Sequence, residues 1–80
     1  MALRAHDIED LLKRQLTDVK EVEAIDLKGG NHWQVNITAG DFDGLNRVKR
    51  EQLVQKVLKD LLADETIHAL VVKAKNTEEK

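Results

Sequence analysis

Three histidines, His6, His32 and His68, are the residues best suited to transition-metal chemistry in this 80-residue chain. A neutral imidazole is a good nitrogen ligand and titrates close to neutral pH. Cysteine is absent, so the chain alone builds no disulfide, no thiolate zinc site, no Cys-only iron–sulfur site and no thiol nucleophile. A cluster held here needs thiolates from a partner. His6 falls near a helix start and reads as exposed. His32 opens a strand on its polar side, together with Gln34. His68 starts the last strand and shares a side with Leu70, Val72 and Ala74, which puts a titratable ring at the edge of an apolar surface. By pattern alone, a hydrogen-bonded structural histidine and a metal ligand are both open readings at His68. No His-to-His spacing in the chain is a metal motif by itself.

Other chemistry finds little support. No Ser-His-Asp or Cys-His set is apparent, and the Gly29-Gly30 pair sits in a hairpin turn, where it cannot serve as a strand-to-helix phosphate loop. Asp41 and Asp43 could act as acid and base. Flanking Phe42 in a glycine-bounded loop, they read more simply as turn formers and anions near a helix start. A non-enzymatic chain is the expectation. From Arg47 to Lys59 five basic residues, Arg47, Lys49, Arg50, Lys56 and Lys59, meet one acid, Glu51. This basic helix face is a candidate nucleic-acid contact, and a loop feeding its first turn would leave backbone N–H groups free for an anion. Base-stacking aromatics are nearly missing, since Trp33, with Val35 and Ile37 beside it, reads as core.

The elements that position these residues follow from periodicity. Within Ala5 to Leu16 the apolar positions Ile8, Leu11, Leu12 and Leu16 fall at helical spacing, with Asp7 placed as an N-terminal cap. Glu21 to Leu27 runs into the tight turn Lys28-Gly29-Gly30-Asn31. Beyond the turn, Trp33, Val35, Ile37 and Ala39 alternate with polar neighbours, which predicts a β-hairpin with one wet face. Gly40 to Gly44 is a connection with Phe42 as an apolar plug. A long helix is predicted from about Arg47 to Ala63, its apolar face drawn from Val48, Leu53, Val54, Val57, Leu58, Leu61 and Leu62. Ile67 to Ala74 is a nearly continuous apolar run, which predicts a strand covered by other elements. The tail from Lys75 to Lys80 is expected to fray.

The expected architecture is α+β, a small mixed three-stranded sheet with helices on one face, in a single domain spanning residues 1–80. Charged residues make up 35% of the chain against roughly 25% in an average globular protein, so the surface is ion-rich. The net charge of −2 does not announce nucleic acid as the partner. The apolar runs are far below the roughly 20 residues of a membrane span, and no signal pattern opens the chain, so a cytoplasmic protein is the expectation.

Three stretches together resemble a known family. Asn31-His32-Trp33-Gln34-Val35, then Phe42-Asp43-Gly44-Leu45-Asn46-Arg47-Val48-Lys49-Arg50, then Ile67-His68-Ala69-Leu70 look like the BolA-like proteins, in their IbaG branch. The resemblance implies a class II KH-like fold, with a helix-turn-helix-like pair formed by the Phe42 to Asn46 region and the long helix. It implies a monothiol glutaredoxin of the Cys-Gly-Phe-Ser type as partner. A 2Fe–2S cluster would be shared between them, with the glutaredoxin and glutathione supplying thiolates and this chain supplying nitrogen. His68 matches the family's histidine in the last strand and is the first candidate ligand. Many relatives carry a Cys or His in a longer first hairpin loop and an Arg-His pair in the long helix. Here the loop is short and Arg50 is followed by Glu51. The second ligand is therefore open, and His32, just past the turn, is the candidate. The function implied is an adaptor in iron–sulfur trafficking or in iron or stress sensing. The alternative is a KH-like nucleic-acid-binding regulator using Arg47, Lys49, Arg50, Lys56 and Lys59.

Overall fold

The structure, a computed structural model, describes residues 3–77. Helix α1 (Ala5–Gln15) leads into strands β1 (Val19–Lys28) and β2 (His32–Ala39); a single 3₁₀ turn at Gly40–Phe42 follows. Helices α2 (Arg47–Val57) and α3 (Lys59–Ala63) then precede strand β3 (Ala69–Lys75). The sheet order is β1-β2-β3, with β1 antiparallel and β3 parallel to the central β2. Among the described residues no helix is long and apolar enough to cross a membrane.

Strand β2 alternates strictly between buried Trp33, Val35, Ile37 and Ala39 and half-exposed His32, Gln34, Asn36 and Thr38. The period of two therefore gives one face to the helices and leaves the other open. Ile8 and Leu12 of α1, Val54 and Leu58 from the helical pair, and Phe42 and Ile67 from the loops complete a core of fully or almost fully buried side chains. Trp33 adds a polar tie, its indole Nε1–H donating to the Gly30 carbonyl at 2.9 Å.

The hairpin turn needs its glycines. Gly29 and Gly30 have φ of +66° and +80°, a region that side-chain-bearing residues avoid. Asp26 fastens the turn by accepting the N–H groups of Lys28 and Gly30 at 3.0 Å each. At the other end of the hairpin Asp41 accepts from the Thr17 N–H (2.9 Å), the Thr17 hydroxyl (3.0 Å) and the Asp18 N–H (2.8 Å). Partial burial works against its charge, but these donors outweigh that cost and hold its carboxyl below the usual value of 3.8. Asp43 accepts from the N–H and hydroxyl of Thr77, which ties the end of the described chain to the same loop.

Several expectations are corrected. Asp7 is not the cap of α1: Arg4 holds that position, and Asp7, one turn inside, accepts the Arg4 N–H at 2.9 Å. The long helix breaks at Leu58 (φ −97°, ψ 13°) into α2 and α3, and Leu58 is fully buried at the break. Val48 is 60% exposed, because it lies about a third of a turn around α2 from the buried line through Val54 and Leu58. The 3₁₀ turn ahead of α2 covers Gly40–Phe42, so the Phe42 to Asn46 region holds only its last residue and no helix of its own. Strand β3 is an edge strand, with Val72 its one buried residue and Val71 44% exposed. Its apolar run reflects helices on one side, with no cover on the other among the described residues. Lys75 belongs to β3 and Thr77 is hydrogen-bonded, so the tail is ordered through Thr77; positions 78–80 of the expected frayed tail lie outside the described residues.

Candidate functional site: a histidine pair at one end of the sheet

The register between β2 and β3 sets His32 opposite Ala69, so the residue just before β3 arrives beside the residue that opens β2. The rings of His32 and His68 come together there, their centroids 5.6 Å apart and their planes tilted by 57°. Asn31 builds this corner from both of its polar ends. Its carbonyl accepts the His68 N–H at 2.7 Å and the Ala69 N–H at 3.2 Å. Its side-chain Oδ1 lies 2.7 Å from His32 Nδ1. An amide oxygen only accepts, so this contact is a hydrogen bond in the tautomer that carries the proton on Nδ1, which in the neutral ring leaves the Nε2 lone pair free.

His68 is exposed and its ring makes no hydrogen bond among the described residues; the hydrogen bond at this strand start belongs to its backbone. His32 is half-buried. His6 is well removed from this pair in its contacts: it faces Asp7, with Nε2 3.4 Å from the carboxylate and both side chains largely in solvent. Among the described residues no group of three or more His, Cys, Asp or Glu side chains could hold a metal ion. Two imidazoles are nonetheless spaced for shared ligation. With metal–nitrogen bonds of about 2.1 Å, two rings on one tetrahedral ion hold their centroids roughly 5 Å apart.

The basic helix residues divide. Asn46 caps α2 by accepting the Lys49 N–H at 2.9 Å, so that donor of the expected anion site is already used. Arg47 is almost fully exposed and pairs with Glu51 at 3.6 Å. Arg50 turns inward, its Nε–H donating to the Leu45 carbonyl at 2.8 Å. Arg47 and Arg50 line a groove of about 380 Å³ together with Lys73 and Lys75 of β3. Lys56 and Lys59 instead border a separate hollow beside Leu11 and Leu53, and Lys49 lines neither. The two β3 lysines were missed in the sequence, although their alternation with Val72 and Ala74 was readable as an exposed face.

A three-stranded mixed sheet with its helices on one face, and two imidazoles at one end of that sheet, defines a small α+β domain. Solved structures of this shape include BolA1 from Arabidopsis thaliana, at 29% identity and a TM-score of 0.84, covering 100% of this chain and 99% of that one. The BolA domain of SufE1 from the same plant matches over the same shares, at 29% identity and a TM-score of 0.86. The family model for BolA-like protein matches residues 9–79, and the chain belongs to the BolA-like family. It is 44% identical to the acid stress protein IbaG of Escherichia coli K12 over 45 residues, which supports the IbaG branch. That match covers 56% of this chain, and the chain spans about half the relative's length, 54%. An uncharacterized protein of Buchnera aphidicola is 31% identical over 72 residues, covering 90% of this chain and 86% of that one.

Proposed function

We propose that this chain is a non-enzymatic adaptor of the BolA/IbaG type that pairs with a monothiol glutaredoxin of the Cys-Gly-Phe-Ser kind. The two would share a 2Fe–2S cluster in iron–sulfur trafficking or in iron or stress sensing. The observation that carries the reading is the His32–His68 pair, with ring centroids 5.6 Å apart at the sheet end. The donor set fits a shared cluster and not a private one. Two nitrogen ligands are offered, thiolate is absent from the sequence, and the remaining positions fall to the partner and its glutathione.

The residues of this chain act by presentation. Asn31 holds the His32 proton on Nδ1 and leaves Nε2 free to ligate, while its carbonyl anchors the backbone of His68. Exposure of the His68 ring leaves it accessible to an approaching protein. Nitrogen in place of thiolate makes a bound cluster more labile, which suits delivery or sensing better than storage.

The test is a titration of cluster-loaded glutaredoxin followed by visible circular dichroism. A new spectrum saturating at equal protomers, altered in His68→Ala and in His32→Ala, is expected. A spectrum that stays that of the glutaredoxin alone overturns cluster sharing. A new spectrum that is unchanged in His32→Ala removes His32 from the ligand set.

One observation favours a second reading, a KH-like nucleic-acid-binding regulator. Arg47, Arg50, Lys73 and Lys75 share one groove, while Lys49, Lys56 and Lys59 lie outside it. Affinity through such a surface is dominated by phosphate and falls steeply with salt. Binding of duplex DNA that does not weaken between low and physiological salt would argue against it.

A further inference from the structure

The face of the sheet turned away from the helices is ordered in rows by the strand register. Glu21, Thr38 and Lys75 stand at one height, Glu23, Asn36 and Lys73 at the next, and Ile25, Gln34 and Val71 at the third. In the first two rows acids occupy β1 and lysines occupy β3, with neutral β2 side chains between them; Lys28 of β1 stands beyond the third row, opposite His32. Glu21, Glu23, Lys73 and Lys75 are all exposed, and none forms an ion pair among the described residues. Asn36 reaches only weakly toward Glu23, at 3.4 Å. Two strand spacings, roughly 10 Å in all, keep the two charged columns from pairing within one chain. An open depression of about 540 Å³ lies between them. The third row is apolar at both edges, with Ile25 half-buried and Val71 44% exposed.

This pattern is its own complement. A two-fold axis parallel to β2, set between two facing sheets, keeps every row at its height and exchanges left for right. It therefore lays β1 of one copy over β3 of the other. Glu21 meets Lys75 of the partner subunit, Glu23 meets Lys73 of the partner subunit, and Ile25 meets Val71 of the partner subunit; the symmetry repeats all three contacts. Sheets facing at about 10 Å leave room for these side chains to interleave in the depression.

We propose that the open sheet face is a self-association surface, by which two copies of this chain form a two-fold dimer held by reciprocal Glu–Lys pairs and an apolar row. An isologous contact requires self-complementary charge, and the mirrored columns supply it. The inference stands apart from the cluster reading. His32 belongs to the same face, one row beyond Gln34, so the dimer and a partner docked at the histidine pair would compete for it.

Sedimentation equilibrium on the full chain, from about 1 µM to 1 mM, tests this. The wild type is expected to dimerise, more weakly as salt rises. Lys73→Glu/Lys75→Glu makes both columns acidic, and Glu21→Lys/Glu23→Lys makes both basic, so each variant alone should associate about tenfold or more weakly. An equimolar mixture of the two should recover association, because the opposite columns then meet. That recovery also shows that both variants fold. A wild type that stays monomeric overturns the proposal, as does a dimer indifferent to both reversals or a mixture that fails to associate. If the chain is monomeric while the reversals weaken glutaredoxin capture, the dimer is overturned and the face belongs to that partner.

Discussion

The ring centroids of His32 and His68 lie 5.6 Å apart although strand β2, the 3₁₀ turn and helices α2 and α3 separate the two residues in the chain. Asn31 is the hinge of that relationship, bonded to one histidine through its side chain and to the other through its backbone. Removing only the side-chain half should leave the fold intact and loosen one ring.

Asn31→Ala therefore frees His32 to carry its neutral-state proton on either nitrogen. Long-range proton–nitrogen correlation spectra above the histidine titration range should show a single Nδ1–H form in the wild type and a mixture in the variant. A single unchanged form in the variant would show that something other than Asn31 orients the ring.

Asp41, in the loop after β2, accepts three hydrogen bonds from Thr17 and Asp18, just past the end of α1. Asp41→Asn keeps one acceptor oxygen and loses the charge, so urea unfolding near pH 7 should show a loss of about 1–2 kcal/mol. The group's folded value lies below 3.8, so its contribution is complete above that pH and disappears as pH falls through the lower folded value. The gap between wild type and variant should narrow in strong acid.

Glu9 of α1 protects the outer edge of β1, its Oε2 accepting the Ala24 N–H at 2.9 Å. Glu9→Ala leaves that partly buried donor without its partner and should cost about 1–2 kcal/mol, whereas Glu9→Gln, which retains an oxygen, should cost less. Amide exchange at Ala24 is the direct readout, expected to accelerate in the alanine variant.

Glu65, just past the end of α3, has φ +63°, the left-handed conformation in which a side chain is strained. Glu65→Gly should raise stability by about 0.5–1 kcal/mol in urea unfolding, because relief of the strain exceeds the added freedom of the unfolded chain. An unchanged or lowered midpoint would mean that the Glu65 side chain contributes more than its backbone costs.

The sequence by itself determined what local period can encode. Strict alternation at Trp33, Val35, Ile37 and Ala39 marked the central strand and its buried face. Helical spacing of Ile8 and Leu12 marked the buried side of α1. The glycines required by positive φ marked the hairpin turn. These depend on neighbours within a few positions, and so does the Asn-His-Trp stretch that carried part of the family resemblance. Tertiary structure decided which distant residues share a height. An unbroken apolar run such as Ile67 to Ala74 fits a covered strand or an edge strand equally, and pairing on one side alone made β3 an edge. The parallel register then brought His68 to His32, set Lys73 and Lys75 across β2 from Glu23 and Glu21, and joined those lysines to Arg47 and Arg50. A one-residue slip of that register would move each of these side chains to the opposite face while leaving the local periodicity unchanged, which is why no reading of the chain alone could place them.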